Sequence, residues 1–479
     1  MWLTQFSIPA TLLPVIELRG DIHEGGGQIL RTALALAART GQAFRLTHIR
    51  AGRSRPGLQA QHLAAVRLAA QLCNARLRGD ALHSTELSFE PGPLRRGSFQ
   101  VDIDTAGSMT LLLQATFWAL AAAPGPCEVE VRGGSDVSWS PPLDYLEEVT
   151  LPLYRELAPI ETVEKKRGFF PKGQGLWRFR SQPGDLTTPL DLAAPPQWRN
   201  LGGRAVAARD LSERRVAERL AERAGALLEA PVEVEYARSA STGTALTLWA
   251  EDERLRCGVG VLGEKGKSSE QVAEAAVFRL REKMERTEPV EEYLADQLVP
   301  LLALVGGRMR CQELSPHCLA NLEVAAAFLG PRIRRFDSLL TTLPYEVVVM
   351  VGLQASGKST YARSHLPQHR LVSKDLLRNN SNRQRRQMQL LEKALQAGEA
   401  VVVDNTNPAI EDRQPLIEAA RKWGAPVRAV FVDTPRELCW ERNATREGAA
   451  RVPEVGLKVV HSRLQPPTLE EGFSEVLRL

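Results

Sequence analysis

The chain has 479 residues, enough for two to four domains, and its hydrophobic content of 43% is ordinary for a globular enzyme. Lys and Arg outnumber Asp and Glu by 61 to 57, a mild basic excess that does not by itself indicate a nucleic-acid partner. The six cysteines form no Cys-x-x-Cys pair, which is typical of free thiols in a reducing cytoplasm. No secretory signal is evident, and the apolar run Leu111–Ala123 is too short to cross a bilayer. We therefore expect a soluble cytoplasmic protein without a membrane segment.

After a loosely attached extension at residues 1–13, the first half repeats one plan, in which a turn of small residues follows a strand and opens a helix. The first such turn precedes a predicted helix at Ile29–Arg39, and the second precedes a helix at Leu111–Ala122. A third unit starts near Arg167 and is interrupted by residues 185–275, which have strands and a predicted helix at Leu211–Leu227. The repeat predicts stacked modules of strand and helix with a small inserted domain.

Residues 330–344 lose this periodicity and carry two prolines, so we place a boundary there. The next segment, Gly352–Ser359, fits G-x-x-x-x-G-K-[ST] between a predicted buried strand, Tyr345–Val351, and a helix. Backbone N–H groups of such a loop surround phosphate, Lys358 reaches the β- and γ-phosphates, and Ser359 ligates Mg²⁺. The predicted nucleotide-binding residues are Gly352, Ser356, Gly357, Lys358, Ser359 and Thr360.

Two later strands end in carboxylates, as a parallel sheet with its site at the carboxyl edge requires. Asp375 follows the first strand and is predicted to be a general base or a helix N-cap, two roles that are compatible. Asp404 ends the second strand and is predicted to orient the site or ligate the metal. Arg442 and Arg446 are predicted to lie on a lid and stabilise phosphoryl charge, although a solvated or ion-paired arginine is the alternative for each.

In the first half, residue type alone leaves several roles open. Arg50, Arg53 and Arg55 form either a phosphate clamp or a solvated basic loop. Glu24, beside three glycines, suits a metal, a ribose hydroxyl or a cap, and His317 suits a nucleophile, a base or a surface histidine.

Residues 345–479 resemble the polynucleotide 5′-kinase family. The resemblance is carried by the phosphate loop, Asp375-x-x-Arg378, Asp404, Arg442-x-x-x-Arg446 and the ending 467–473. It implies that Asp375 deprotonates a 5′-OH, that Arg378 grips the acceptor's 3′-side phosphate, and that Arg446, with Arg442, stabilises the donor phosphates. No Asp-x-Asp-x-Thr motif flanks this part, so no 3′-phosphatase is implied.

Residues 14–335 resemble the RNA 3′-terminal phosphate cyclase family, whose fold has three repeated β/α modules and an inserted domain. The resemblance is carried by several ordered motifs: Glu24–Arg31, Ile49–Arg53 with Pro56-Gly57, Gln61-His62, Ala106-Gly107-Ser108 with Gln114, Gly133-Gly134-x-Asp136, Arg167-Gly168-Phe169, Glu292–Gln297 and His317-x-x-x-Asn321. Two positions depart from the family pattern. Gly173-Gln174-Gly175 stands where three glycines are common, and Pro316 precedes the histidine where Cys is frequent.

The cyclase resemblance implies that His317 attacks the α-phosphate of ATP to form a histidyl-adenylate. The adenylate then passes to an RNA 3′-phosphate, and the 2′-OH closes a 2′,3′-cyclic phosphate. By the same resemblance Glu24 binds the divalent metal and Asp296 orients His317. The remaining implied contacts are Arg31, Arg50, Arg53 and Gln61 to phosphates or RNA, and Gln114, Tyr293 and Gln297 to the adenylate.

The expected fold class is a multidomain mixture of α/β and α+β. The expected domains are a cyclase core at 14–184 plus 276–335, an insert at 185–275, a linker at 336–344 and a parallel-sheet phosphate-loop kinase at 345–479.

We expect a bifunctional RNA end-modifying enzyme that uses ATP at two sites with Mg²⁺ or Mn²⁺. Its expected substrates are RNA ends bearing a 3′-phosphate or a 5′-OH, with DNA 5′-OH ends left open, and its expected downstream partner is an RNA ligase. The alternatives are a non-catalytic cyclase-like RNA-binding scaffold and a cyclase fused to a small-molecule kinase.

Overall fold

A computed structural model describes residues 14–23, 25–377, 379–448 and 451–479, so the expected extension at 1–13 lies outside the described residues. The chain forms two compact units. The first consists of Met1–Leu192, Pro196–Gly307 and Cys311–Ile333, and the second of Ala193–Pro195, Arg308–Arg310 and Arg334–Leu479. None of the described helices is long and apolar enough to cross a membrane.

The described chain contains both strands and helices. The strands are β1 (Ile16–Arg19), β2 (Phe44–Thr47), β3 (Arg76–Arg78), β4 (Leu87–Glu90), β5 (Gly97–Asp102), β6 (Cys127–Gly133), β7 (Ile160–Lys166), β8 (Gly175–Ser181), β9 (Leu190–Leu192), β10 (Arg199–Ala208), β11 (Val232–Ala237), β12 (Thr244–Glu251), β13 (Arg256–Leu262), β14 (Gly307–Arg310), β15 (Arg334–Phe336), β16 (Leu339–Thr341), β17 (Val347–Val351), β18 (Arg370–Val372), β19 (Val401–Val403), β20 (Val427–Phe431) and β21 (Glu475–Arg478). The helices are α1 (Gln28–Thr40), α2 (Ala60–Cys73), α3 (Met109–Ala121), α4 (Leu143–Tyr145), α5 (Leu151–Leu157), α6 (Val216–Leu228), α7 (Ser269–Met284), α8 (Glu292–Val305), α9 (Pro316–Leu329), α10 (Lys358–His365), α11 (Arg383–Gln396), α12 (Ile410–Lys422), α13 (Arg436–Ala444) and α14 (Glu454–Arg463).

The first unit repeats one sheet topology. Strands pair in the order β1-β2-β4-β3 in the first module and β5-β6-β8-β7 in the second. In both sheets the first two strands are parallel and the other two pairs are antiparallel. The expected repeat of mixed β/α modules is therefore confirmed.

The inserted domain is a third sheet of the same kind, ordered β11-β10-β12-β13. Helices α6 and α7 cover it through a core that includes Leu220, Leu248 and Leu280. That core extends beyond residue 275, where the sequence had suggested that the insert ends. The predicted helix Leu211–Leu227 is also divided, because Arg215 has a positive φ of 49° between a 3₁₀ turn and α6.

Helix α1 shows how local sequence sets an element. It ends at Gly41, whose φ of 73° places it in the left-handed region and whose N–H donates to the Ala37 carbonyl. This is the glycine C-cap expected from the sequence, where a side chain would strain the backbone.

The second unit contains a five-stranded sheet in the order β18-β19-β17-β20-β21, parallel throughout. Strand β17 lies at its centre and all five of its residues are buried, as the continuous apolar run predicted. The unit's core also contains Leu339 of β16. The stretch 336–344, expected as a linker, therefore contributes ordered sheet and core residues to this unit.

Candidate active sites

The phosphate loop connects the carboxyl end of β17 to α10. Gly352 and Gly357 have φ values of 143° and 110°, in the region that favours glycine. A Cβ on Gly352 would lie 2.6 Å from the Val432 carbonyl oxygen, whereas one on Gly357 would meet nothing within 4 Å. The loop is thus pressed against the sheet at its start and open where the helix begins, which is the arrangement that presents N–H groups to an anion.

Lys358 is the buried cation of this loop. Its Nζ donates to the Leu353 carbonyl at 2.5 Å and to Ser356 Oγ at 3.3 Å. Burial lowers the pKa of Lys358 to about 8, although the carboxylates of Asp404 and Asp375 act in the opposite direction. The charges of Lys358, Asp404 and Asp375 therefore act on one another.

The carboxyl ends of β18 and β19 are joined by side-chain hydrogen bonds. Ser373 Oγ donates to the Asp404 carbonyl at 2.7 Å and accepts the Asp375 N–H at 3.3 Å. Asn405 Oδ1 accepts the Lys374 N–H at 2.9 Å, and its Nδ2 donates to Gln387. Ser373 thus caps the turn that carries Asp375 and joins it to the end of β19.

The donor set fits a hard divalent cation. Asp404 is 8% exposed and its Oδ1 is buried with no hydrogen-bond partner among the described residues. Ser359, at the start of α10, is exposed. No group of three or more His, Cys, Asp or Glu that could hold a metal occurs in the described part of the chain. One carboxylate and one hydroxyl suit Mg²⁺, which takes one or two protein ligands and completes its shell with phosphate and water.

The predicted lid arginines lie on α13 and in the turn after it. Arg442 Nη1 donates to the Ser356 carbonyl at 3.5 Å, and the positive charge of Arg446 contributes to lowering the pKa of Lys358. Between α13 and α14 lies a cavity of about 460 Å³, lined by Trp440, Asn443 and Arg451 among others. Arg378, expected to grip the acceptor, lies outside the described residues.

His317 lies in the first turn of α9, where side-chain hydrogen bonds stabilise the start of the helix. Ser315 is the N-cap, and its Oγ accepts the Cys318 N–H at 3.0 Å. The same hydroxyl donates to Asp296 Oδ1 of α8 at 2.5 Å. Asp296 therefore acts on the turn that carries His317 through Ser315, a residue that the sequence pattern did not single out.

A buried amide network joins α9 to the start of α1. Asn321 Nδ2 donates to the Asp296 carbonyl at 2.6 Å, and its Oδ1 accepts from Gln28 at 3.2 Å. Gln28 in turn accepts from Arg31 Nη2 at 2.5 Å. The network brings Arg31, a predicted RNA contact, to the helix of His317. Glu24 lies outside the described residues, so its predicted metal contact stays a prediction.

His62 explains one glycine of the first motif. A Cβ on Gly27 would lie 2.3 Å from the His62 ring, so only glycine fits there. His62 Nδ1 accepts the Gln59 N–H at 3.1 Å. Burial, with the charges of Arg31 and Arg50, lowers the pKa of His62 to about 3. This ring is a neutral packing element between α1 and α2.

The basic loop is held by its own arginine. Arg50 Nη1 donates to the carbonyls of Arg55 at 2.6 Å and Gly57 at 3.1 Å. Arg53 is exposed. Gln61 Oε1 accepts the N–H of Ser108, the N-cap of α3, at 3.2 Å. Helix α2, which follows the loop, thus meets the second module's turn at Gln61.

The three residues predicted to contact the adenylate differ in exposure. Tyr293 is 60% exposed, with Lys283 Nζ 5.3 Å from its ring centroid. Gln297 is buried, and it accepts from Thr150 at 3.1 Å and donates to the Tyr293 carbonyl at 3.0 Å, so it braces α8. Gln114 lies on α3 and is half-buried.

Repeated mixed modules with an inserted sheet and a helix-borne histidine, in a chain that ends in a parallel-sheet phosphate-loop unit, define a nucleotide-using protein of two parts. The RNA 3′-terminal phosphate cyclase family model matches residues 22–334, and an AAA domain model matches residues 347–467. The chain belongs to the RNA 3′-terminal phosphate cyclase family.

Curated relatives support this assignment. An RNA 3′-terminal phosphate cyclase of Methanopyrus kandleri is 39% identical over 332 residues, which are 66% of this chain and 94% of that protein. Another, from Methanothermobacter thermautotrophicus, is 40% identical over 335 residues, 67% of this chain and 96% of that protein. Each match leaves about a third of this chain uncovered.

Solved structures resemble 28% of the chain. A fungal RNA kinase is 18% identical over 75% of its length with a TM-score of 0.24. Kti12 of Chaetomium thermophilum, solved with ADP-AlF3, is 20% identical over 88% of its length with a TM-score of 0.24. Scores this low carry no argument about activity. The kinase-like assignment of the second unit rests on its strand order, its phosphate loop and the AAA domain match.

Proposed function

We propose that this chain converts RNA 3′-phosphate ends to 2′,3′-cyclic phosphates and also phosphorylates polynucleotide 5′-OH ends. The cyclase family membership supports the first activity, and it together with the phosphate loop implies use of ATP. The observation that carries the second is a set of hydrogen bonds at the carboxyl edge of the sheet. Ser373 joins the turn of Asp375 to the Asp404 carbonyl, and Arg442 reaches the phosphate loop at the Ser356 carbonyl.

In the cyclase reaction, an imidazole nitrogen of His317 attacks the α-phosphorus of ATP, and pyrophosphate leaves. The RNA 3′-phosphate then displaces His317 and carries the AMP as a mixed anhydride. The 2′-OH attacks the 3′-phosphorus, AMP leaves with the anhydride oxygen, and the hydroxyl proton passes to solvent. The chain's contribution is to hold the His317 turn through Ser315 and Asp296 and to bind phosphate with Arg31, Arg50 and Arg53.

In the kinase reaction, the 5′-OH attacks the γ-phosphorus, ADP leaves, and Asp375 takes the hydroxyl proton. Lys358 and the lid arginines oppose the negative charge on the transferred group. Ser359 and Asp404 would hold Mg²⁺, which lowers the charge on the phosphates when bound.

Both activities are tested on one RNA that has a 5′-OH and a 3′-phosphate, incubated with ATP and Mg²⁺ or Mn²⁺ and analysed at each terminus. We expect a 5′-phosphate and a 2′,3′-cyclic phosphate. His317→Ala should abolish cyclisation and protein-linked AMP while 5′ phosphorylation continues, and Lys358→Ala should do the reverse. Loss of both activities in either variant would contradict two independent sites.

The same assay separates the rival functions. A scaffold would form no protein-linked AMP from ATP labelled at the α-phosphate. A small-molecule kinase would phosphorylate nucleosides or sugars in preference to 5′-OH oligonucleotides. RNA and DNA oligonucleotides compared side by side would establish which acceptor the kinase prefers, and the products, 5′-phosphate and cyclic phosphate ends, would suit a downstream RNA ligase.

A further inference from the structure

The inserted domain has a basic pocket that none of the cyclase chemistry uses. The pocket has a volume of about 290 Å³ and is lined by Arg209, Asp210, Arg238, Ser239, Ala240, Ser241 and Thr242. Both arginines are exposed, and neither makes a salt bridge with any described residue. The carboxylate of Asp210 accepts a hydrogen bond from the Thr242 hydroxyl. Two guanidinium groups beside serine hydroxyls form the donor set that recognises a phosphate.

The turn between β7 and β8 of the second module contacts this pocket. Lys172 donates its backbone N–H to Ser241 Oγ at 3.1 Å, at the pocket wall. The Phe169 ring packs with Val206, Ala208 and Ala237 of the insert. The turn is therefore fixed to the insert at both of these residues.

The other end of the turn reaches the loop that Gln61 holds. A Cβ on Gly173 would lie 2.7 Å from Ala106 Cα, and Ser108 donates its N–H to Gln61 at 3.2 Å. The first unit thus has one contact path from the predicted RNA contact Gln61 to the pocket of the insert. An RNA whose 3′ end lies at Gln61 could follow these contacts to the pocket of the insert.

An aromatic side chain accompanies the path. Phe170 is 72% exposed although it lies between the buried Phe169 and the fixed Lys172. Proteins that bind single strands combine positive charge along the backbone with aromatic rings on which bases stack. Phe170 and the arginine pair supply both features on adjacent surfaces.

We propose that the pocket of Arg209 and Arg238, with Phe170, is a second RNA-binding subsite that holds a backbone phosphate and a base upstream of the reacting 3′ end. The proposal rests on the proposed cyclisation of RNA 3′-phosphates. The insert then makes binding depend on RNA length. A short RNA occupies the cyclase active site only, whereas a longer RNA occupies both the active site and the pocket of Arg209 and Arg238.

The test uses the full chain and two RNA 3′-phosphates with the same terminal sequence, one about three and one about fifteen nucleotides long. Both are 5′-phosphorylated, so that they are not acceptors for the kinase. Arg209→Ala combined with Arg238→Ala should raise the KM for the longer RNA at least about ten-fold and leave the KM for the shorter one within about two-fold. Phe170→Ala should raise the KM for the longer RNA at least about five-fold. The control is Arg214→Ala, because Arg214 is an exposed arginine of the same 3₁₀ turn that does not line the pocket.

Equal increases in KM for both lengths, or no increase for either, would overturn the subsite. Binding of the longer RNA with a 3′-OH, measured by fluorescence anisotropy, separates this proposal from the cyclase activity. The double variant should bind at least about ten-fold more weakly, and its dependence of log Kd on log salt should be shallower by about 1.4, the slope for two phosphate contacts to a single strand. If the wild type does not cyclise but the binding difference persists, the subsite stands and the cyclase proposal fails. If inorganic phosphate competes as well as the RNA does, the pocket is a phosphate site only and the proposal is wrong.

Discussion

At the scale of single residues, His62 packs against Gly27 although it follows Gln61, a predicted RNA contact. Burial next to Arg31 and Arg50 lowers its pKa to about 3, below the ordinary value of about 6.5. Between these two values the unfolded chain binds more protons than the folded chain, so stability is complete above about pH 6.5 and falls as the pH is lowered.

His62→Asn should remove this acid sensitivity, because the Asn side chain can accept the Gln59 N–H without binding a proton. We expect wild type to lose on the order of 2 kcal/mol of stability between pH 6.5 and pH 5 and the variant to lose much less. Pulsed hydrogen exchange of α2 across a urea titration at the two pH values measures the difference. His83→Asn, at an exposed histidine, is the control. An unchanged pH dependence in His62→Asn would contradict the assignment.

Lys358 is a residue that the proposed kinase reaction needs but whose burial lowers the stability of the fold. Burial lowers its pKa to about 8, so the unfolded chain binds more protons between about pH 8 and pH 10.5, and stability rises with pH in that window.

Lys358→Met should abolish 5′ phosphorylation yet stabilise the nucleotide-free second unit at pH 7 by up to about 3 kcal/mol. The gain should shrink towards pH 10. Hydrogen exchange of β17 reports on this unit, and Lys393→Met, at an exposed lysine of α11, should show no gain. A less stable Lys358→Met at pH 7 would refute the prediction.

At the scale of elements, the start of α9 couples helix capping to the proposed nucleophile. Ser315 both caps the helix and donates to Asp296. Ser315→Ala should cost about 1 to 2 kcal/mol of helix stability and slow formation of protein-linked AMP at least about ten-fold, because the turn of His317 loses its contact with α8. Ser315→Thr keeps the hydroxyl and should restore most of the rate.

The control for Ser315 is a second helix cap. Ser268 caps α7, where its Oγ accepts the Gln271 N–H at 3.2 Å. Ser268→Ala should cost a similar stability and leave the adenylation rate unchanged. If both variants slow adenylation equally, the effect of Ser315 comes from general destabilisation and its positioning role is wrong.

Elements with strong local signals were predictable from the sequence. Strand β17 and its loop combine a buried apolar run with a phosphate-loop pattern, and α1 ends at a glycine that the left-handed cap requires. Other elements depend on distant residues. Strand β3 is Arg-Leu-Arg with two exposed residues, so it has no apolar alternation to detect, and Arg215 interrupts a continuous helical pattern.

The site followed the same division. Lys358, Asp404 and His317 could be predicted as site residues because the chemistry predicted for them depends on residue type and spacing. The contact of Ser315 with Asp296 and the packing of His62 against Gly27 were not predicted, because both are tertiary contacts. The ending 467–473 is one of the motifs that carry the resemblance to polynucleotide kinases, and in the structure it is bound to helix α12. Glu471 forms a double hydrogen bond with the fully buried Arg413.

At the scale of the whole molecule, the boundary between family domains and the boundary between folded units differ. The cyclase family match ends at residue 334, yet Arg308–Arg310, inside that match, belong to the second unit. The second unit is therefore assembled from three chain segments, and a piece that begins at residue 345 would lack Leu339 from its core. The segment 336–344 is predicted to be a linker because its sequence lacks the periodicity of a helix or strand. Periodicity does not indicate contacts with residues distant in the chain, such as those of Leu339 in the core of the second unit.

Arg310 makes this assembly testable. It is buried, its Nε donates to the Gln396 carbonyl at 3.1 Å, and its Nη2 donates to the Leu395 carbonyl at 2.9 Å. These are the last carbonyls of α11, where a cation is favoured by the helix dipole. Its guanidinium also lies 5.2 Å from the Trp423 ring centroid. An arginine from the family-matched part thus completes a helix of the phosphate-loop unit.

Arg310→Ala should destabilise the second unit by about 3 kcal/mol, because its two charge-assisted hydrogen bonds to α11 are lost. Hydrogen exchange at the carboxyl end of α11 should accelerate, and 5′ phosphorylation should become heat-labile at a lower temperature. Arg335→Ala removes an exposed arginine of the same unit and should change neither quantity. If Arg310→Ala left α11 protected and the kinase activity equally heat-stable, the second unit would not need the Arg308–Arg310 segment.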